Sequence, residues 1–346
     1  MPSLLKPESS HTPRIESVEP SAALPGGVVD VHGANLGAIS FRRPVAMLGD
    51  LAAPVLMSRN RRMLLHVPEE AESGNLRILQ NGAQSNAVNV EVATMLATGV
   101  HAVANPAVDA ESNVYVTLSG ARGQETPVSV FRIERNGEMR PFLSGIMNAT
   151  GLAVDEEGNL YVSSRHEGTV YQVAPSGAAK VYAEGMGIAT GMAFDAEHNL
   201  YVGDRSGTIF KIAPDRQIFV FATLEPSVAA YHLAFGIDGT LYVTGPTTSS
   251  YDSVHAVDRN GDITVFYRGL GRPQGLAIDI SGAVYVAASL GGRRGVVRIS
   301  QAGEASLAIA GSGIVGLAFV PGGNAIVATA SSVYDVALGI EGWRVA

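Results

Sequence analysis

His232 is the residue with the clearest chemical potential in this chain. It follows Tyr231 and stands at the start of an apolar run where four related segments carry glycine. An imidazole there can act as a general base if Asp204 or a tyrosine orients it. A second chemistry comes from arginines. Arg165, Arg205, Arg272, Arg293 and Arg294 fall at recurrent connections, and guanidinium groups grouped at one place hold carboxylates or phosphates by charge-assisted bonds. Other routes are closed. The chain has no cysteine, which removes thiolate catalysis, disulfides and cysteine-held metals. It has no Gly-x-Ser-x-Gly elbow, phosphate loop or His-Glu-x-x-His motif. Gly311–Gly316 (GSGIVG) matches a dinucleotide fingerprint but joins two strand-like runs where that motif needs a helix.

These residues are placed by a repeat. Near-copies of one sentence begin at Asn105 (NPAVDAESNVYV), Gly151 (GLAVDEEGNLYV), Gly191, His232, Gly275 and Gly316, with starts 46, 40, 41, 43 and 41 residues apart. Such a period means a propeller or a solenoid. Each copy is a short apolar run, an Asp/Glu/Gly/Asn turn and a second run with Tyr-Val or its equivalent, so the unit is built of strands. In the second copy, four strands fit 151–155, 160–164, 169–174 and 179–183. Four strands per repeat make a propeller blade, and six copies make a six-bladed β-propeller. Its outer closing strand falls either at 342–345 or near 94–98.

Strands alternate in direction, so connections between repeats and second-to-third-strand turns share one face around the central channel. That face collects Asn105, Asn148, Thr150, Thr190, Tyr231, His232, Arg272 and Gln274, then Arg165, His166, Asp204, Arg205, Arg293 and Arg294. It is the default ligand site. The opposite face carries turns such as 155–158 and 197–199, whose acidic residues read as turn formers.

Residues 13–93 do not share the repeat; turn clusters separate short alternating runs, as in an immunoglobulin-like β-sandwich. Pro13, Ile15, Val18, Pro20, Gly26, Gly27, Gly33, Asn35, Leu36, Gly37, Val67, Pro68, Ser85 and Asn86 fall in the pattern of an IPT/TIG domain. The segment resembles that family, whose bacterial members are mostly spacers or adhesion and carbohydrate-associated modules and some of whose eukaryotic relatives contact DNA. Residues 1–12 are expected to be a flexible N-terminus.

Residues 94–346 resemble NHL-type blades, nearly verbatim at 151–162, within the wider group that includes the senescence marker protein/gluconolactonase family. That resemblance implies a divalent metal in the channel, calcium or zinc, with Asp204 at the family's Asp position and Asn105 at its Glu position. Thr190 stands where the family has Asn, and Asn148 lies two residues early. Calcium takes 6–8 oxygens, usually several carboxylates. Zinc, as in the six-bladed amidating lyases, needs three converging ligands, yet His101, His166 and His232 occupy different positions in their repeats. No cofactor is therefore expected for a non-enzymatic protein, and calcium or zinc only for a metal-dependent lactonase-like hydrolase using His232, Asp204 and Asn105. The favoured expectation is an all-β binding or scaffold protein whose channel face recognises a small polar or anionic ligand or a protein segment. A purely structural contact module is a third reading.

Composition sets the remaining bounds. A 346-residue chain with 46% apolar and 16% charged residues can bury a large core. Net charge is -8, and only Arg59, Arg61 and Arg62 cluster like a nucleic-acid contact, so no nucleic acid is expected. No stretch approaches the ~20 apolar residues of a membrane span. MPSLLKPESSHTPR lacks the features of a secretory signal, so the chain as it stands reads as cytoplasmic, or as secreted or cell-surface if a leader is missing.

Overall fold

The computed structural model describes residues 12–39 and 42–344. The expected flexible N-terminus falls outside these, apart from Thr12. The described residues form strands and turns without a helix, and accordingly none contains a helix long and apolar enough to cross a membrane. The chain divides into two compact units, Met1–Ala93 and Thr94–Ala346.

In the first unit, strands Arg14–Glu19, Val28–Ala34, Arg62–His66 and Val55–Arg59 form one sheet in that order. A second sheet runs from Ala22–Ala23 through Val88–Val92, Gly74–Gln80 and Val45–Leu48 to Leu51–Ala53. Period-two patterning buries one face of each: Val29, Val31, Met63 and Leu65 in the first, Ala46, Leu48, Leu76 and Ile78 in the second. The Ser85-Asn86 pair does specific work. Asn86 accepts from the Ile15 amide (2.9 Å) and donates to the Ile15 carbonyl (3.0 Å), while Ser85 Oγ accepts from Ile78 N (2.9 Å). Of the three clustered arginines, Arg62 is spent inside the unit. Its Nε and Nη2 grip the buried Asp30 carboxylate at 3.0 and 2.7 Å, a forked pair that satisfies a charge otherwise costly to bury.

The second unit is a β-propeller. Four-stranded antiparallel sets follow the repeats: Ala149–Val154, Leu160–Ser164, Thr169–Val173 and Ala179–Ala183, then Ala189–Phe194, Leu200–Asp204, Thr208–Ile212 and Ile218–Thr223, and so on round the ring. The second strands Leu160–Ser164 and Leu200–Asp204 are buried at every residue because sheets cover both faces. The last set, Ile314–Val320, Asn324–Thr329 and Ser332–Ala337, takes its outer strand from the beginning of the unit. Thr94–Thr98 pairs antiparallel with it, Met95 opposite Tyr334 and Ala97 opposite Val333. Of the two segments considered for closure, Thr94–Thr98 fills the place. Gly342 instead bridges to Asp279, and Trp343 N donates to Ile278 O at 2.7 Å.

Aromatic contacts join neighbouring sets. Tyr161 lies edge-on to Tyr182 of its own outer strand and to Phe194 of the next inner strand, both at 4.9 Å. Tyr201 repeats this with Phe221 and Phe235. The turn aspartates complete the unit: Asp109 and Asp279 accept from Tyr115 and Tyr285 hydroxyls at 3.1 Å. Asp155 and Asp195 accept the amides of Asn159 and Asn199 at 2.8 Å, as expected of turn formers.

Inner strands meet closely near their starts. A Cβ on Gly275 would collide with Asn105 Oδ1 and with Gly316, so those positions admit only glycine. At the equivalent position of the fourth repeat stands His232. There the channel keeps a cavity of about 20 Å³ lined by His232, Asn105, Gly151, Gly191 and Met192.

Candidate functional site

At the end of the channel formed by the inter-repeat connections, most of the polar residues singled out above bind neighbouring backbone. Asn105 Nδ2 donates to Leu276 O (2.8 Å) and its Oδ1 accepts from Leu317 N (3.2 Å), tying two inner strands together. Asn148 is buried with a positive φ of 51°. Its Oδ1 accepts from Gly123 N and its Nδ2 donates to Gly120 O and Ala121 O, each at 2.9 Å, which pins the connection 118–129. Thr150 donates to Asn148 O (2.9 Å). Thr190 donates to Gly203 O (2.8 Å) and accepts from Tyr231 N (3.1 Å). Tyr231 donates to Glu225 O, and burial raises its hydroxyl pKa to about 12. The backbone N–H of Gln274 donates to Ala287 O at 2.8 Å.

His232 is 1% exposed, and desolvation pushes its imidazole pKa down to about 4. It is therefore neutral at physiological pH and faces the small channel cavity. Asp204 does not orient it. The Asp204 carboxylate accepts from Ile188 N (2.8 Å) and from Ser206 Oγ, holding its own turn and the preceding connection.

This bears on the metal that the gluconolactonase resemblance implies. The oxygens of Asn105 and Asp204 are engaged by amides and a hydroxyl on different repeats. Among the described residues, no three His, Cys, Asp or Glu side chains group as a metal site. The donor set does not fit calcium or zinc.

The arginines behave differently. Arg165 Nη2 donates to Gly120 O (2.9 Å), while its Nε is buried without a partner. Burial first, then the positive charges of Arg205 and Arg122, hold its guanidinium below the ordinary pKa. Arg205 uses Nε on Ser227 O (3.1 Å) and is otherwise exposed. Among the described residues, none of the three forms a carboxylate ion pair. The exposed His166 follows Arg165 in the same turn. Arg272, exposed with φ 48°, and Arg294 are not among the charges that act on Arg165. Arg122 escaped the sequence reading. The signal for it was the 46-residue first repeat, longer than the others because the connection 118–129 is extended.

The opposite end opens into a larger cavity of about 770 Å³. Its walls are inner-strand residues such as Leu152, Met192, Phe194 and Phe319, with Tyr182 and Trp343 toward the mouth.

No protein-family model matches the chain, and no curated protein sequence matches it. Solved structures do. A gluconolactonase from Xanthomonas campestris aligns over 71% of this chain and 89% of its own, with 16% identity and a TM-score of 0.58. An auxiliary nutrient binding protein from Bacteroides thetaiotaomicron aligns over 94% and 98%, with 11% identity and a TM-score of 0.57. Virginiamycin B lyase from Staphylococcus aureus aligns over 90% and 99%, with 11% identity and a TM-score of 0.51. At these identities the likeness establishes the β-propeller fold and nothing about activity.

Proposed function

We propose that the chain is a binding protein, an IPT/TIG-type immunoglobulin-like β-sandwich followed by a six-bladed NHL-type propeller that holds a small anionic ligand against Arg122, Arg165 and Arg205. The observation that carries this reading is that the Arg165 guanidinium feels the positive charges of Arg205 and Arg122 while, among the described residues, none of the three forms an ion pair with a carboxylate. Like charges gathered this way are unfavourable in the free protein and become favourable when an anion sits among them. Asn148, Thr150, Thr190 and Tyr231 serve by fixing the backbone that presents the arginines. The exposed His166 stands next to them for a further hydrogen bond. The propeller likeness to a nutrient-binding protein supports a binding role.

Thermal unfolding in phosphate, sulfate or citrate, against chloride at matched ionic strength, tests this. A ligand at 100 times its Kd stabilises the native state by about 2.7 kcal/mol. Anion-specific stabilisation that disappears in Arg165→Ala is the expected result; equal melting in all the salts would count against the proposal.

The likeness to a gluconolactonase favours a second reading, a metal-dependent lactonase with Asp204 and Asn105 at a metal and His232 moving protons. It requires side chains now engaged with backbone to release it. Millimolar calcium, zinc or magnesium would then raise the melting temperature, chelator would reverse the rise, and Asp204→Ala would abolish it. With both side chains committed, no metal-dependent shift is expected, and a clear one would move the assignment to the hydrolase.

A further inference from the structure

The larger cavity lies at the far end of the channel from the arginines and has its own chemistry. Its depth is apolar, built from Leu152, Met192, Leu233, Leu276 and Leu317, and its volume of about 770 Å³ is that of a small-molecule site. The mouth is uneven in charge. First-to-second-strand turns of the second and third repeats bring Asp155, Glu156, Glu157 and Asp195 to it, with Arg216 and Arg344 also on the lining. Both arginines are occupied. Arg216 lies over the Tyr182 ring at 5.3 Å, and Arg344 donates to Asp109 O and Phe319 O at 3.4 and 3.0 Å. Asp155 and Asp195 are bound into their turns. The exposed Glu157 accepts only from the Asn159 side chain (3.2 Å), and the exposed Glu156 has no partner among the described residues. At the place of Glu156 the fourth and fifth repeats carry Ile237 and Ile280, 48% and 58% exposed, and at the place of Glu157 they carry Asp238 and Ser281.

We propose that this funnel is a second binding site, for a compact apolar molecule bearing a cationic amine. The body fills the leucine-lined depth, where burial drives binding. The amine meets Glu156 and Glu157, with Phe194 also on the lining, while the Tyr182 ring is already taken by Arg216. The site stands independently of the anion site, since Arg122, Arg165 and Arg205 are not on its lining.

Trp343 is the chain's one tryptophan and lines this cavity, so its fluorescence reports occupancy. The test is a titration of the full chain with 1-aminoadamantane and, separately, with adamantane-1-carboxylate, which share an apolar cage and differ in charge. The proposal expects a saturable change in Trp343 emission with the amine and affinity at least about tenfold weaker for the acid. The exposed-turn variant Glu156→Gln/Glu157→Gln is expected to keep the melting temperature and erase that preference. No saturable change with the amine, equal affinity for the acid, or an unaltered preference in the double variant would each overturn the proposal. Calorimetric titration provides a second readout, and Arg165→Ala is expected to leave it unchanged.

Discussion

Tyr201→Ala is expected to cost the propeller roughly 3–5 kcal/mol, the usual penalty for truncating a large buried side chain. Tyr201 is 4% exposed and has Phe221 and Phe235 edge-on at 4.9 Å on either side. Phe235 belongs to the inner strand of the next repeat, so the ring joins adjacent sheets as well as filling its own. Edge-to-face pairs add about 0.5–1.5 kcal/mol beyond area burial, and the small cluster around the ring (Ile209, Ala222, Leu233 and Leu241) offers nothing large enough to fill the gap. The hydroxyl interacts with the Asp195 carboxylate, which also organises the turn. Tyr201→Phe keeps the ring and loses only that polar interaction, for about 1 kcal/mol at most. Urea melts of the two variants separate the contributions. A Tyr201→Ala loss below that of Tyr201→Phe would contradict the packing account.

The second large effect is a pH dependence centred on His232. Its folded pKa of about 4 lies below the ordinary 6.5 because burial disfavours the imidazolium. Between these values the unfolded chain binds the proton and the folded chain does not. Stability from this group is thus complete above about pH 6.5 and is lost progressively as pH falls toward 4. At ~1.4 kcal/mol per unit the loss is about 3 kcal/mol. His232→Leu removes the titrating group, so the stability difference between wild type and variant should shrink or reverse by that amount from pH 7 to pH 4. Parallel pH curves for the two proteins would show that the imidazole is solvated or paired in solution.

Much of the propeller was legible because its determinants are local and repeated. Gly-Leu-Ala-Val-Asp followed by Leu-Tyr-Val places a glycine where inner strands touch, a tyrosine between sheets and an aspartate in the turn below it. Closure was less legible, because pairing of Thr94–Thr98 with Ser332–Ala337 depends on contact across the whole unit and both candidate segments were short. The site was harder still. Sequence shows which residues reach a face but not what occupies their hydrogen-bonding groups. Asn105, Asn148 and Thr190 lie at the inter-repeat connections and Asp204 at a second-to-third-strand turn, yet they spend their polar atoms on backbone and, for Asp204, on the Ser206 hydroxyl as well. Arg122 lies in an extended connection outside the repeat register. Trp343 and Arg344 reach the far cavity only because the segment after the last repeat turns back onto Ile278 and Phe319.

Calorimetric titration of the purified chain with citrate reads the proposed anion site of Arg122, Arg165 and Arg205. Wild type is expected to bind. A hydrogen bond to a charged group is worth about 1.5–3 kcal/mol, so Arg165→Ala or Arg205→Ala should weaken binding by roughly ten- to a hundredfold, and binding should fall as ionic strength rises. Citrate binding that is absent in wild type, or unchanged in both variants, would rule out an anion site at these arginines.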